Sequence, residues 1–328
     1  MTYYQSLTIR FAALVLISIL PGKCFEGKAA SARLEHSFIS YLTSKRPEAA
    51  LIAFSPTNHD PRAESRKVPS PESLRADLQK LHAAFDGLIL YGYDRDTTPV
   101  ILEEAQKQGY RAVLLGIWDP HSEEEITGTV ALVKQYQDKL ALAVCLGNEG
   151  IFFKRYKFSD VQKAAIKFET LLETRRRVPL TTSEPFKQYD QTEVRQFGDF
   201  LAPNVHSVFD HPEWSPVDAA AWARKYALDL AKSSRRPVLV KETGMPHGGK
   251  EPFTPEKQRE FWSAYTKAGH LVRVTGAVWV SYAAAFEAFD LPWKAQQSGL
   301  AIEDSWGLLG PDRSYHPAFF VWEKRRKR

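Results

Sequence analysis

Leu140-Ala141-Leu142-Ala143-Val144-Cys145-Leu146-Gly147-Asn148-Glu149-Gly150 runs through seven apolar residues and stops in an amide and a carboxylate. An apolar stretch without polar alternation suits a strand buried on both faces, the situation of a parallel sheet covered by helices. The polar pair that ends it lies where strand gives way to loop, the place at which a rigid sheet fixes reactive groups while loops shape a pocket. Further runs of the same character flank it: Leu51 to Ser55, Leu88 to Tyr91 and Ala112 to Ile117 before it, and Leu180 to Thr182, Phe200 to His206, Val238 to Glu242 and Gly276 to Tyr282 after it. Helical patterns fill the intervals. One runs from Ser73 to Phe85 after a Pro-Ser-Pro start, one from Thr98 to Gln108 before Gly109, and one from Ser122 to Gln137 with three glutamates in its first turn. Thr254-Pro255-Glu256 opens another, with a threonine cap and proline at the first helical position. Eight strands alternating with helices predict an α/β chain closed into a (β/α)8 barrel of the TIM type. The competitor, an open doubly wound sheet, would bring a glycine-rich phosphate loop after its first strand. Here Pro56-Thr57-Asn58-His59 follows, and no Gly-x-Gly-x-x-Gly or P-loop pattern occurs, so no nucleotide cofactor is expected.

The chain has 328 residues, which one barrel of about 250 residues or more plus a leader would account for. A leader is read in residues 1–32: a polar start ending at Arg10, an apolar run from Phe11 to Leu20, and small residues at Ala30-Ser31-Ala32. The apolar run is shorter than the roughly 20 residues that span a bilayer, so removal on export is expected, with a buried N-terminal helix or an uncleaved anchor as the other readings. The rest, 33–328, is read as one domain, exported and periplasmic, secreted or anchored facing outward. Lys23 before Cys24 argues against lipid attachment, and without Cys24 the remaining Cys145 has no internal disulfide partner and reads as a small core residue. Hydrophobic residues at 44% and charged residues at 25% are ordinary globular values. The net charge of +5, from which the leader's Arg10, Lys23, Lys28 and Glu26 remove two units, is too weak to argue for nucleic acid. The basic run Lys324 to Arg328 reads as a solvated, frayed end, with weak membrane or envelope contact as the alternative. A monomer is expected.

A second carboxylate closes the run Val238 to Glu242, followed by Thr243-Gly244. On strands four and seven of a barrel, Glu149 and Glu242 would meet across the mouth within reach of one substrate. Either glutamate alone would read as a helix-end or ion-paired carboxylate. Together they are what glycosidic bond cleavage needs: one protonated carboxyl to donate to the leaving oxygen, one ionised to stabilise or attack the oxocarbenium-like carbon. Asn148 is placed to hydrogen-bond a sugar hydroxyl beside that carbon. Sugar rings also want flat apolar surfaces, and Tyr91, Tyr93, Trp118, Phe186, Phe209, Trp214 and Trp293 all follow strands. Trp118 and Trp293 are the foremost candidates, the others reading first as core. Asp94, Asp96, Asp119 and Glu287 are hydroxyl acceptors or loop caps. His206, His211 and His247 have no metal-ligand spacing and no Gly-x-Ser-x-Gly elbow occurs, so no metal and no serine nucleophile are expected.

Several separated motifs carry a resemblance: Ala53-Phe54-Ser55-Pro56, Leu90-Tyr91-Gly92, Gly116-Ile117-Trp118, Gly147-Asn148-Glu149, Thr182-Ser183-Glu184, Lys241-Glu242-Thr243-Gly244-Met245-Pro246, Phe286-Glu287-Ala288-Phe289-Asp290, Pro292-Trp293-Lys294 and Trp306-Gly307-Leu308. In their order and spacing, from about residue 50 to 310, the chain resembles glycoside hydrolase family seventeen, the β-1,3-glucanase family, in its bacterial envelope form. The resemblance implies a retaining mechanism on β-1,3-glucan, with Glu149 as acid/base, Glu242 as nucleophile and Lys294 near the reacting sugar. Two positions depart from the family pattern. Leu291 stands where an acidic residue is usual, so one carboxylate near the sugar is missing. Asn204-Val205-His206-Ser207 brings a histidine where the family shows tyrosine, which suits His206 either to orient Glu242 or to pack in the barrel wall. Transglycosylation in envelope glucan synthesis and non-catalytic glucan binding are the competing functions.

Overall fold

The computed structural model describes residues 38–173 and 178–327, so the expected leader and Cys24 lie outside the described residues. Strands β1 (Leu51–Ala53), β2 (Gly87–Ile89), β3 (Ala112–Ile117), β4 (Ala141–Asn148) and β5 (Leu180–Ser183) pair in parallel in that order. The ring continues through the sixth apolar run, which joins its neighbours by single bridges, Pro185 to Asn204 on one side and Leu201 to Val238 and Asn204 to Glu242 on the other. Pro203 lies in this run and has no N–H to donate, so a continuous ladder cannot form there. Strand β6 (Val238–Leu239) follows, and the eighth barrel strand is split into β8 (Val278–Ser281), parallel to β6, and β9 (Ala284–Ala285), parallel to β1. The expected (β/α)8 barrel is thereby closed.

Two expectations are corrected. The eighth strand starts at Val278 and not at Gly276, because Gly276, at φ +52°, turns the chain out of β7 (Leu271–Thr275), an antiparallel strand that the sequence reading did not include. Of the basic C-terminal run, Lys324, Arg325 and Arg326 are not frayed, although Lys324 is exposed as expected. They belong to the helix Phe319–Arg326, whose Trp322 packs 5.2 Å from the rings of both Phe85 and Trp262. Arg325 turns inward to the Glu48 carboxylate (3.1 Å) and the Ala49 carbonyl (2.9 Å). The apolar residues at i and i+3, Phe319 and Trp322, dock the helix and carry its basic face with them.

Helix starts follow local chemistry. The hydroxyls of Ser70, Ser122 and Thr254 accept the backbone N–H of Ser73, Glu125 and Lys257, capping Pro71–Leu81, Glu123–Tyr136 and Pro255–Lys267. The first of these is shorter than expected, its last four expected residues forming the turn into β2. Phe158–Leu172 and Pro216–Ser234 are long outer helices with no counterpart among the sequence signals. No helix among the described residues is long and apolar enough to cross a membrane.

Inside the ring, small and medium side chains from the strands, among them Leu51, Ile89, Leu114, Ala143 and Cys145, pack with Phe200 and Trp279. The helix Phe38–Thr43 seals the end from which the strands start, with Tyr41 Oη donating to Asp86 at 2.7 Å. The opposite end is left for chemistry. There β2 and β3 approach so closely that a Cβ on Gly116 would overlap the Tyr91 carbonyl. Gly116→Ala is therefore expected to cost about 1–3 kcal/mol, the range for overpacking, against a rigid backbone neighbour. Thermal unfolding checks this; an unchanged midpoint would contradict the close approach.

Candidate active site

β4 leaves the barrel through Gly147 (φ +80°) and Glu149 (φ +55°). A left-handed glutamate is strained unless its surroundings hold it. Here the Glu149 N–H donates to the Ser183 carbonyl at 2.8 Å. The Glu184 carboxylate, fully buried, accepts the N–H groups of Ile151 and Phe152, two and three residues after Glu149, at 3.0 and 3.1 Å. Burial pushes the Glu184 carboxyl up to about 7 against the pull of those bonds. Glu184 thus anchors the turn that aims Glu149, a role the sequence hid inside Thr182-Ser183-Glu184.

A chain of hydrogen bonds connects the two expected glutamates. Asn204 Nδ2 donates to Glu149 Oε1 at 2.9 Å and to Asn148 Oδ1 at 3.2 Å. Asn148 Oδ1 also accepts from Lys241 Nζ at 2.8 Å, and Lys241 Nζ reaches Glu242 Oε1 at 2.6 Å. Asn204 is oriented in turn by the Ser183 hydroxyl, 2.8 Å from its Oδ1. Every member comes from the outgoing end of a barrel strand, so the strand register sets the geometry of the set.

The two carboxyls titrate in opposite directions. Burial raises Glu149 above the ordinary carboxylate value, and the negative charge of Glu242 raises it further. Burial would also raise Glu242, but the Lys241 ammonium and the hydrogen bond and charge of His206 outweigh it and hold this carboxyl at about 2. Glu149 therefore holds its proton to higher pH than Glu242 does, the direction that acid-assisted bond cleavage requires.

Around this pair the structure gathers most of the expected site residues. His206 Nε2 lies 3.5 Å from Glu242 Oε2, and its ring is wedged edge-on against Phe286 (5.1 Å) and Trp306 (5.0 Å), so it both touches the carboxylate and packs in the barrel wall. Tyr91 supports Lys241, whose Nζ sits 4.5 Å from the ring centroid, and its buried hydroxyl has no partner among the described residues. Glu287, fully buried, accepts Lys294 Nζ at 2.5 Å on one oxygen and has its other oxygen unpartnered; burial lifts it to about 7 despite the lysine. Trp293 lies beside Lys294 with its buried indole N–H also unpartnered. Buried polar atoms without partners cost free energy, and the Tyr91 hydroxyl and the Glu287 carboxyl both lie within the electrostatic reach of Glu242. Trp118 is 42% exposed, but the Arg155 guanidinium lies over its ring at 4.0 Å, so one face is already covered. Arg155 also donates to the Asn148 carbonyl and ties this tryptophan to the Glu149 turn.

Other aromatic and acidic candidates are used elsewhere. Phe186 packs on Trp222 and Tyr226, Trp214 stacks on His211, and the Tyr93 ring covers Gly128. Asp94 and Asp96 share Arg66, and Asp119 pairs with His121. Sequence reasoning missed Lys241 as a site residue, although a lysine inside an apolar strand is itself a signal. It also missed Glu303. This half-buried carboxyl is raised by burial, and Lys294 and His206 oppose that rise. It feels the charges of Lys294, His206 and Glu242, from a segment no motif marks.

A model of the BtgE/BtgC glycoside hydrolase domain matches residues 52–307, which span β1 to the segment behind His206. The chain belongs to this family. Among BtgE/BtgC relatives, a protein of Aspergillus fumigatus described as a probable glucan endo-1,3-beta-glucosidase btgC is 26% identical over 280 residues, 77% of this chain and 40% of its own length. The glucan endo-1,3-beta-glucosidase btgC of Emericella nidulans is 22% identical over 285 residues, 77% of this chain and 42% of its own. The chain therefore spans about two fifths of the length of these curated relatives. The glycoside hydrolase family 17 beta-1,3-glucanosyltransferase from Rhizomucor miehei shares the fold at a TM-score of 0.63 and 16% identity, covering 83% of this chain and 97% of its own. CJP38, a beta-1,3-glucanase and allergen of Cryptomeria japonica pollen, does so at 0.59 and 15%, covering 82% and 97%. At these identities the likeness concerns the barrel.

Proposed function

We propose that this BtgE/BtgC-family chain is an exported, retaining glycoside hydrolase of β-1,3-linked glucan, with Glu149 as acid/base and Glu242 as nucleophile. The observation that carries the reading is the hydrogen-bonded chain from Glu149 to Glu242 together with the opposite shifts of the two carboxyls. In the first step Glu149 gives its proton to the glycosidic oxygen while Glu242 attacks the anomeric carbon, releasing the leaving sugar and forming a glycosyl ester. In the second, Glu149, now a carboxylate, takes a proton from water as the water displaces Glu242. The unpartnered Tyr91 hydroxyl, Glu287 oxygen and Trp293 indole N–H are the groups assigned to sugar hydroxyls, with the Asn148 amide beside the reacting carbon and Lys294 holding Glu287 in place. Trp118 and Trp293 offer flat surfaces to sugar rings. No metal or cofactor enters either step. The activities described for the relatives support the β-1,3-glucan assignment, and the apolar run from Phe11 to Leu20 supports export.

Glu149→Gln is expected to lower the rate on β-1,3-linked oligosaccharides by about 10²–10⁴-fold, the range for losing one acid/base group. The loss should be far smaller for the first step on an aryl glycoside whose phenol leaves without a proton. Equal losses on both substrates would remove Glu149 from the acid role. Chromatography of the products decides between water and sugar as acceptor, since transfer yields chains longer than the substrate. Binding of β-1,3-glucan with no turnover by the wild type would end the enzymatic reading.

A further inference from the structure

We propose that His247, Asp290 and His316 form a binding site for a borderline divalent transition cation of the Zn²⁺ class, behind the wall that carries Glu287 and apart from the glutamate pair. The three residues come from separate segments: His247 from the loop after β6, Asp290 from the exit of β9, and His316 from the approach to the C-terminal helix. No local spacing motif links them, and considered along the chain the histidines looked dispersed. In space, one donor atom from each lies within 4.8 Å of the other two.

His247 Nε2 is 2.9 and 3.0 Å from the two Asp290 oxygens, and His316 Nε2 is 2.8 Å from Oδ2. The donor set, two imidazole nitrogens and one carboxylate oxygen on one side, is that of open transition-metal sites. Both histidines are half-buried, which leaves solvent access on the remaining side. The ligands are also held from behind. Asp290 Oδ1 accepts the Gly307 N–H at 2.9 Å, while the backbone N–H groups of His247 and His316 are bonded to the Ser305 and Leu308 carbonyls. Such outer contacts fix ligand orientation and are a large part of metal affinity.

A hydrogen-bonded clasp without metal is the rival account, and the geometry serves it less well. A proton on His247 Nε2 would be divided between two oxygens at nearly equal distances, whereas a hydrogen bond favours one linear acceptor. Were both rings protonated to strengthen the clasp, two cations would face one another with ring centroids 4.1 Å apart. A bound cation needs both nitrogens deprotonated and balances the carboxylate charge. It would cross-link three loops at the barrel mouth and take no part in bond cleavage.

The test is titration of the chelator-treated, dialysed full chain with ZnCl2 by calorimetry, paired with thermal unfolding. The expected result is one equivalent bound and an unfolding midpoint several degrees higher, reversed by EDTA. His316→Gln keeps a side-chain N–H for Asp290 but is a poor ligand. It should fold with an unchanged metal-free midpoint and bind zinc at least ~10²-fold more weakly. Absence of zinc binding by the wild type overturns the proposal, as does equal binding by His316→Gln. If that variant does not fold, His247→Gln carries the same comparison.

Discussion

Glu242→Gln is expected to lower kcat/KM on β-1,3-linked oligosaccharides by about 10⁴-fold or more, the scale seen when a nucleophile that acts as part of a set is removed. The amide is nearly isosteric, keeps an oxygen for Lys241 and cannot form the glycosyl ester. Azide should restore turnover in this variant by attacking the anomeric carbon directly, and the glycosyl azide should carry the α configuration because a single displacement inverts it. The matching rescue of a Glu149 variant should give the β azide, since two displacements retain configuration. Product stereochemistry by NMR therefore reads the two roles separately. A β azide from the Glu242 variant, or wild-type turnover without azide, would reverse or remove the assignment.

Lys241→Met should have the next largest effect, and its signature lies in pH. Glu242 is held at about 2 against an ordinary value of 4.5. Its ionisation in the folded state therefore contributes on the order of 3 kcal/mol at pH above 4.5, lost as pH falls through about 2. With the lysine gone, burial dominates. His206 at 3.5 Å remains to lower the carboxyl, while burial raises it. The Glu242 carboxyl should then rise from about 2. Because the nucleophile must be ionised, the acid limb of kcat/KM moves up with it. Breaking a buried ion pair typically costs about 3–5 kcal/mol, and for this variant the cost should ease in acid, where a protonated Glu242 needs no counter-charge. A variant that is destabilised equally at pH 4 and pH 7, with an unmoved acid limb, would show that Lys241 only fills space.

These two predictions rest on side chains that differ in how plainly the sequence announced them. Glu149 and Glu242 each end an apolar run, so their place at the mouth follows once the runs are read as parallel strands. Lys241 precedes Glu242 in the same motif, but that it bonds Asn148, 93 residues earlier, depends on how β4 and β6 are brought together around the ring. Asn204 was visible only as part of a departure from the family pattern, yet it bonds both Asn148 and Glu149. Trp118 was foremost among the sugar platforms, and the structure covers one of its faces with Arg155. The C-terminal basic run illustrates the opposite error: charge suggested a frayed end, and the apolar spacing of Phe319 and Trp322 docks Lys324, Arg325 and Arg326 as a helix.

Local patterning alone determined the strand runs, the caps at Ser122 and Thr254, the barrel class and the two strand-end glutamates, because burial on both faces, helix capping and strand exits leave their marks within a few residues. Ring closure and strand register decided the rest: the opposite shifts of the two carboxyls, the approach of Glu303 to Lys294 and His206, and the meeting of His247 with Asp290 and His316. Charge, burial and hydrogen-bond partners are properties of positions in space, and residues tens of places apart acquire them from one another only when the chain has folded.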